Sequence, residues 1–188
     1  MSEKSSVSQS QIVEIVIDTR EQIPLAFSDR VRVATATLRA GDYSVKGYES
    51  EIAVERKTLN DFVNTIILQR ERFREELKKL QSYKAACVVV EADASAIHDH
   101  RYSSNAHPNA VWGAMMSIII DYSIPIYFLS NRHTAIKFTE DYLVRYAAMA
   151  ARQSSLVVTA ERKAAARERV NALLPAELRL PVTESRDK

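Results

Sequence analysis

A chain of 188 residues, 46% hydrophobic and 27% charged, can bury one sizeable core, and its length favours a single domain with tails. With 26 Lys and Arg against 24 Asp and Glu the net charge is only +2, so nucleic-acid binding cannot be argued from overall charge. The single cysteine, Cys87, excludes an internal disulfide and a zinc site built on cysteines.

Residues 1–11 are polar and expected to be disordered, with no apolar run of the signal-peptide kind. No apolar stretch approaches the length of a membrane span, and an intracellular protein is expected. Ile12 to Ile17 is a β-branched run that reads as a strand, closed by Asp18-Thr19-Arg20-Glu21 and a turn at Pro24. Val31 to Leu38 reads as a second strand. Gly41-Asp42 is a turn signal leading into Tyr43 to Tyr48, and Ile52-Ala53-Val54 opens a strand that runs into Glu55-Arg56-Lys57. Strands so crowded predict an antiparallel meander.

One long helix is predicted next. Thr58-Leu59-Asn60-Asp61 fits a capping box, and Phe62, Ile66, Phe73, Leu77 and Leu80 form its apolar stripe, with Arg70 where one apolar residue is missing. From Arg56 to Lys84, eight basic residues face four acidic ones. That excess fits either a phosphate backbone or a solvated, salt-bridged helix face. Ala86 to Val90, with Cys87 inside it, reads as a core strand. Asp93 to His107 reads as a polar loop. Its His98, Asp99, His100 and His107 could suggest zinc, but without a further spaced ligand cluster a solvated loop is the better reading. Pro108 suits the first turn of a helix carrying Val111, Met115, Ile118 and Ile119. Ile124 to Leu129 reads as a strand, and Thr134 as the cap of a helix carrying Ala135, Phe138, Tyr142 and Met149. From Arg152 onward the chain is Ala- and Arg-rich, an exposed helix expected to end near Pro175. Strands first, then alternating helix and strand, define an α/β domain with a mixed sheet flanked by helices.

Chemistry concentrates in Ile52-Ala53-Val54-Glu55-Arg56-Lys57. A strand that begins apolar ends in three charges, and burying an unpaired charge costs several kcal/mol. The arrangement is tolerable if Glu55 meets a cation and Lys57, two residues on, shares its face. Asp42, after the Gly turn, can supply a second carboxylate. Two carboxylates and a lysine are a minimal kit for phosphodiester cleavage assisted by Mg²⁺ or Mn²⁺. Taken alone, Glu-x-Lys also fits a surface strand pair with Asp42 as a turn residue. Trp112 and Met115 read as core, and no glycine-rich loop for cradling ATP phosphates is present.

Val16-Ile17-Asp18-Thr19-Arg20-Glu21, then Gly41-Asp42-Tyr43, then Val54-Glu55-Arg56-Lys57-Thr58-Leu59-Asn60-Asp61 resembles the nuclease domain of the XPF/Hef family. The likeness runs from about Ile12 to about Met149 and includes Pro108-Asn109-Ala110-Val111-Trp112-Gly113-Ala114. It implies a restriction-endonuclease-like core in residues 12–151, followed by a basic C-terminal helix and tail, 152–188. It also implies that Asp42 and Glu55 hold the metal with the backbone carbonyl of Arg56, that Lys57 is the catalytic lysine, and that Asp61 closes the signature. Asp18, Arg20 and Glu21 would line the same cleft. Arg70, with Arg72 beside it, would lie near the scissile phosphate, and an arginine on an apolar stripe itself calls for an anion or a wet cleft. The expected activity is endonucleolytic cleavage of flapped, forked or branched DNA by a homodimer. The rivals are a sequence- or duplex-directed restriction nuclease and a non-catalytic DNA-docking subunit. Two departures stand out. Gln69 replaces the glycine usual before Arg70, and no glycine follows Gly113, so the paired helix-hairpin-helix module that grips DNA in many members is expected to be absent.

Overall fold

The structure, a computed structural model, describes residues 12–173; the expected disorder of residues 1–11 and the end of the basic helix near Pro175 lie outside them. The chain divides into two compact units, Met1–Ala147 and Ala148–Lys188.

The first unit is built on β1 (Glu14–Asp18), β2 (Arg32–Ala36), β3 (Tyr43–Val45), β4 (Ile52–Thr58), β5 (Ala85–Glu91) and β6 (Ile126–Phe128). They form one mixed sheet in the order β2-β1-β3-β4-β5-β6. The expected meander holds only for β1-β3-β4. β2 runs parallel to β1, as do β5 to β4 and β6 to β5. A hairpin needs a loop of about two to five residues, whereas the chain between Asp18 and Arg32 is long enough to cross back and start β2 in the same direction as β1. Its return is pinned by Ser28, whose amide and hydroxyl each donate to Glu140 at 2.7 Å, and by the Arg30 guanidinium on Glu140 and Asp141.

Thr58 ends β4 and caps α1 (Leu59–Leu68), its Oγ1 accepting the Asp61 amide, as the capping box predicts. The single long helix does not form. Gln69, at φ −110° and ψ 29°, breaks it, and α2 (Arg70–Gln81) starts afresh. Arg70, the first residue after the break, is exposed instead of lying on the apolar stripe, which resumes at Phe73. Phe62, Val63 and Ile66 of α1, Phe73, Leu77 and Leu80 of α2, Val88 and Val90 of β5, and Val111, Met115 and Ile118 of α4 (Pro108–Asp121) share one core on this face. On the other face Tyr142 lies beside Cys87, and Tyr146 meets Tyr48 edge-on and donates to Glu51. Covered on both sides, β5 can be apolar without alternation. Burial pushes the Cys87 thiol up to about 12, and it packs as a small apolar group.

The polar loop contains one short helical turn, α3 (Ser95–His98). Its histidines are used locally. His100 stacks on Tyr102, and His107 caps α4 by accepting the Asn109 amide on Nδ1. α5 is Arg132–Leu173. Its cap is Asn131, whose Oδ1 accepts the Thr134 amide, and not Thr134 itself. In the second unit every described side chain from Ala151 to Arg169 is exposed. No described helix is long and apolar enough to cross a membrane.

Candidate active site

Asp42 is placed by a turn that only glycine can make. Gly41 adopts φ +75°, and a Cβ there would stand 3.0 Å from that of Ala53 and 3.2 Å from the Val54 carbonyl. Its amide donates to Glu76 Oε1 on α2 at 3.0 Å. Asp42 is then held between two strands: its amide donates to the Val54 carbonyl and its carbonyl accepts the Asp18 amide. Asp42 Oδ2 accepts the Arg56 amide at 2.8 Å, which fixes the carboxylate beside the end of β4.

On β4, Glu55 and Lys57 point to one face and Arg56 to the other, as the two-residue period requires. Lys57 Nζ donates to Glu55 Oε1 at 2.6 Å and lies 5.8 Å from the centre of the Phe73 ring. Glu55 is only 7% exposed. A cleft of about 250 Å³ is lined by Asp42, Glu55 and Lys57 from the sheet and by Gln69, Arg72 and Glu76 from the helical side, among others. Burial, reinforced by the neighbouring Glu55 charge, pushes the Asp42 carboxyl up to about 8, against the pull of the Arg56 amide and the Lys57 charge. Burial disfavours the Lys57 ammonium, but the charge and hydrogen bond of Glu55, with Asp42 behind it, hold its pKa above the ordinary lysine value. Lys57 is therefore a fixed cation at neutral pH.

The remaining candidates divide between the cleft and its supports. Asp18 and Arg20 line the cleft but are committed to each other: Arg20 Nε donates to Asp18 Oδ1 at 2.6 Å, and the Leu38 amide donates to Oδ2 at 2.6 Å. Burial alone would raise the Asp18 pKa, yet these donors bring it below the usual range, so Asp18 braces the cleft wall as an anion. Glu21 is outside the cleft. It accepts the Arg56 guanidinium, which also donates to Glu91, and Glu91 in turn takes Arg132. Glu21 thus belongs to an ion-pair network behind β4, and its expected place in the cleft is corrected: in the sequence nothing tells which face of β4 it meets. Asp61 Oδ2 accepts the Thr58 hydroxyl in the cap of α1 and does not line the cleft. Arg72 reaches the cleft, whereas Arg70 lines a separate shallow groove with Ile66, Phe73 and Ile118. The family likeness and a single helix running through Gln69 both point Arg70 to the scissile phosphate; the break at Gln69 removes the second support. Thr65 and Glu76, not singled out from the sequence, also line the cleft, as does Gln69, noted there only as a departure from the family pattern. Glu76 adjoins the apolar stripe one residue before Leu77, and no local signal shows that it reaches back to Gly41.

Among the described residues there is no cluster of three or more His, Cys, Asp or Glu that could hold a metal. Two hard carboxylates and a backbone carbonyl nonetheless suit Mg²⁺ or Mn²⁺, which keep several waters and take further oxygens from substrate phosphate. Burial first, and then the Glu55 charge, raise the Asp42 pKa, and a divalent ion beside both carboxylates would offset both effects. The donor set fits a hard divalent ion and not a soft one.

This mixed six-stranded sheet flanked by helices is a restriction-endonuclease-like fold. The profile of the ERCC4 domain family matches residues 17–142, and the chain belongs to that family of XPF-type nuclease domains. It is 33% identical over 136 residues to a Methanocaldococcus jannaschii protein named as an ATP-dependent RNA helicase, covering 72% of this chain and 15% of that protein. It is 29% identical over 126 residues to the 3′-flap repair endonuclease Xpf of Saccharolobus solfataricus, covering 64% of this chain and 50% of that one. The chain thus spans half or less of these curated relatives. Among solved structures, XPF from Aeropyrum pernix superposes with a TM-score of 0.58 at 23% identity, over 71% of this chain and 61% of that one. The same protein in complex with DNA gives 0.54 at 22%, over 73% and 66%. At these identities the superpositions speak to the fold.

Proposed function

We propose that the chain is a metal-dependent DNA endonuclease acting, inside the cell, on flapped, forked or otherwise branched duplexes. The carrying observation is that Asp42, Glu55 and Lys57 converge on one cleft, with the Asp42 carboxyl pushed up to about 8. Asp42, Glu55 and the Arg56 carbonyl would hold Mg²⁺ or Mn²⁺, which when bound lowers the pKa of water and offsets phosphate charge. Lys57, already protonated, cannot accept a proton; it orients the attacking water by donation and stabilises negative charge growing on the phosphate. Glu55 fixes the ammonium through its 2.6 Å contact. Arg72 and Arg20 contact flanking phosphates from the cleft lining, as an arginine fork suits. The completeness of this set favours catalysis over a role as a docking subunit.

Flap, fork, linear duplex and single-stranded DNA, incubated with Mg²⁺ or with EDTA, test the reading. Cleavage of flap or fork that needs Mg²⁺ and disappears in Glu55→Ala is expected. Equal inactivity of wild type and Glu55→Ala on every substrate would sink it, and sequence-specific cutting of plain duplex would replace it with the restriction reading.

The chain acts as a homodimer through the nuclease domain, with the helices over 108–123 and 134–151 as the contact. In support, Met116, Ile119 and Ile120 of α4 expose an apolar strip at i, i+3 and i+4, with Ile120 at 71%. Sedimentation should give a dimer that Ile120→Glu dissociates; a monomeric wild type would remove this part.

A further inference from the structure

The described part of the second unit is a helix exposed on every side from Ala151 to Arg169, and its charges are arranged unlike those of α2. On α2 three of the five cations are paired within the helix: Arg74 meets Glu71, Lys78 meets Glu75, and Lys79 meets Glu76. In the second unit Arg152, Arg162, Lys163, Arg167 and Arg169 face only Glu161 and Glu168 between Arg152 and Arg169. Neither acid has a basic residue three or four positions away. At about 100° per residue, Arg152, Lys163 and Arg167 fall within about 60° of one another, while the two acids fall on the other side. Lys163 and Arg167 are a like-charge i,i+4 pair, which costs an isolated helix a few tenths of a kcal/mol. No carboxylate among the described residues partners any of these five cations. A polar helix without internal pairs is marginal unless something external balances it.

The apolar residues do not supply that balance. Leu156, Val157 and Val158 are all exposed, at 69%, 57% and 44%, but point in three directions about 100° apart. They form no stripe for a protein groove. A charged stripe remains, roughly 22 Å long from Arg152 to Arg167 at 1.5 Å per residue. That is about two thirds of a duplex turn.

We infer that the face of this helix carrying Arg152, Lys163 and Arg167 binds the phosphate backbone of duplex DNA, as a non-specific grip separate from the cleft. The inference rests on the DNA-nuclease reading above. It gives the chain a source of duplex affinity that the cleft, with its four acids beside Arg20, Lys57 and Arg72, supplies poorly. Backbone contacts of this kind position a duplex without reading its sequence.

The test uses the full chain and a fluorescent duplex of several helical turns in EDTA, with anisotropy followed against salt. Lys163→Gln/Arg167→Gln and Arg162→Gln/Arg169→Gln remove the same charge from different faces, and glutamine keeps helix propensity. The first variant should lose about 1.8 from the slope of log affinity against log salt, some 0.9 per phosphate released, and the second much less. In Mg²⁺, cleavage by the first variant should show a raised KM with kcat unchanged. Circular dichroism should show equal helicity in all three proteins. A wild type that cuts DNA while both variants titrate alike overturns this inference alone. A wild type that binds no duplex overturns this inference, and the nuclease reading falls with it only if that protein also cuts no flap, fork, duplex or single strand in Mg²⁺.

Discussion

The backbone amide of Arg56 donates to Asp42 Oδ2 at 2.8 Å, so the strand that carries Glu55 and Lys57 also aims the carboxylate of its neighbour. One oxygen of Asp42 is thereby fixed by protein, and the other is the one proposed to meet the cation. On that proposal, metal binding would be coupled to strand pairing at this contact.

Lys57 sits at the centre of the charge balance. Lys57→Ala should reduce cleavage by about 100-fold or more, in line with loss of a preorganised charge-stabilising donor. Calorimetric Mn²⁺ binding should stay within a few-fold, since Lys57 supplies no ligand. Loss of both together would make Lys57 a structural residue.

The Asp42 proton gives a pH dependence with a defined sign. Burial and the Glu55 charge raise its pKa from 3.8 to about 8, so a cation must displace a proton over that range. The apparent Mn²⁺ affinity should rise by up to about tenfold per pH unit below pH 8 and level off above it. An affinity flat from pH 6 to 8 would contradict this.

The same shift acts on stability. A raised carboxyl pKa gives stability that is present below the unfolded value and lost as pH climbs through about 8. Asp42→Asn removes that loss while its amide oxygen can still accept from Arg56. Without metal its melting temperature should exceed wild type by several degrees at pH 8.5 and by little at pH 4, and cleavage should vanish. Equal melting at both pH values would show that the Asp42 carboxyl is not strained by its setting.

Arg72 and Arg70 lie on different surfaces. Arg72→Ala should raise KM and lower the salt slope of DNA binding by about one, as for a phosphate contact, with Arg70→Ala smaller on both measures. The reverse order would place the phosphate on the Arg70 side of the Gln69 break.

Arg56 carries Glu21 and Glu91 on a side chain only 10% exposed. Arg56→Ala should cost about 3–5 kcal/mol in urea unfolding, because Glu21 loses its guanidinium partner and Glu91 keeps only Arg132. A cost below about 1 kcal/mol would mean that water reaches and solvates both carboxylates.

Local rules were enough for what depends on neighbours in the chain. The two-residue period puts Glu55 and Lys57 on one face, Thr58 caps the helix through Asp61, Pro108 starts α4, and Gly41 makes the turn before Asp42. The family motifs add the pairing of Asp42 with Glu55. What the sequence did not reveal depends on partners far along the chain. Glu140 holds the segment that makes β2 parallel to β1, Glu76 holds the Gly41 amide, and Arg56 draws Glu21 behind the sheet. Gln69 ends α1 although the apolar stripe continues in register across it. Strand direction and ion-pair partners are set by contacts between residues tens to more than a hundred positions apart, and periodicity carries no record of them; only the folded chain decides which charges meet.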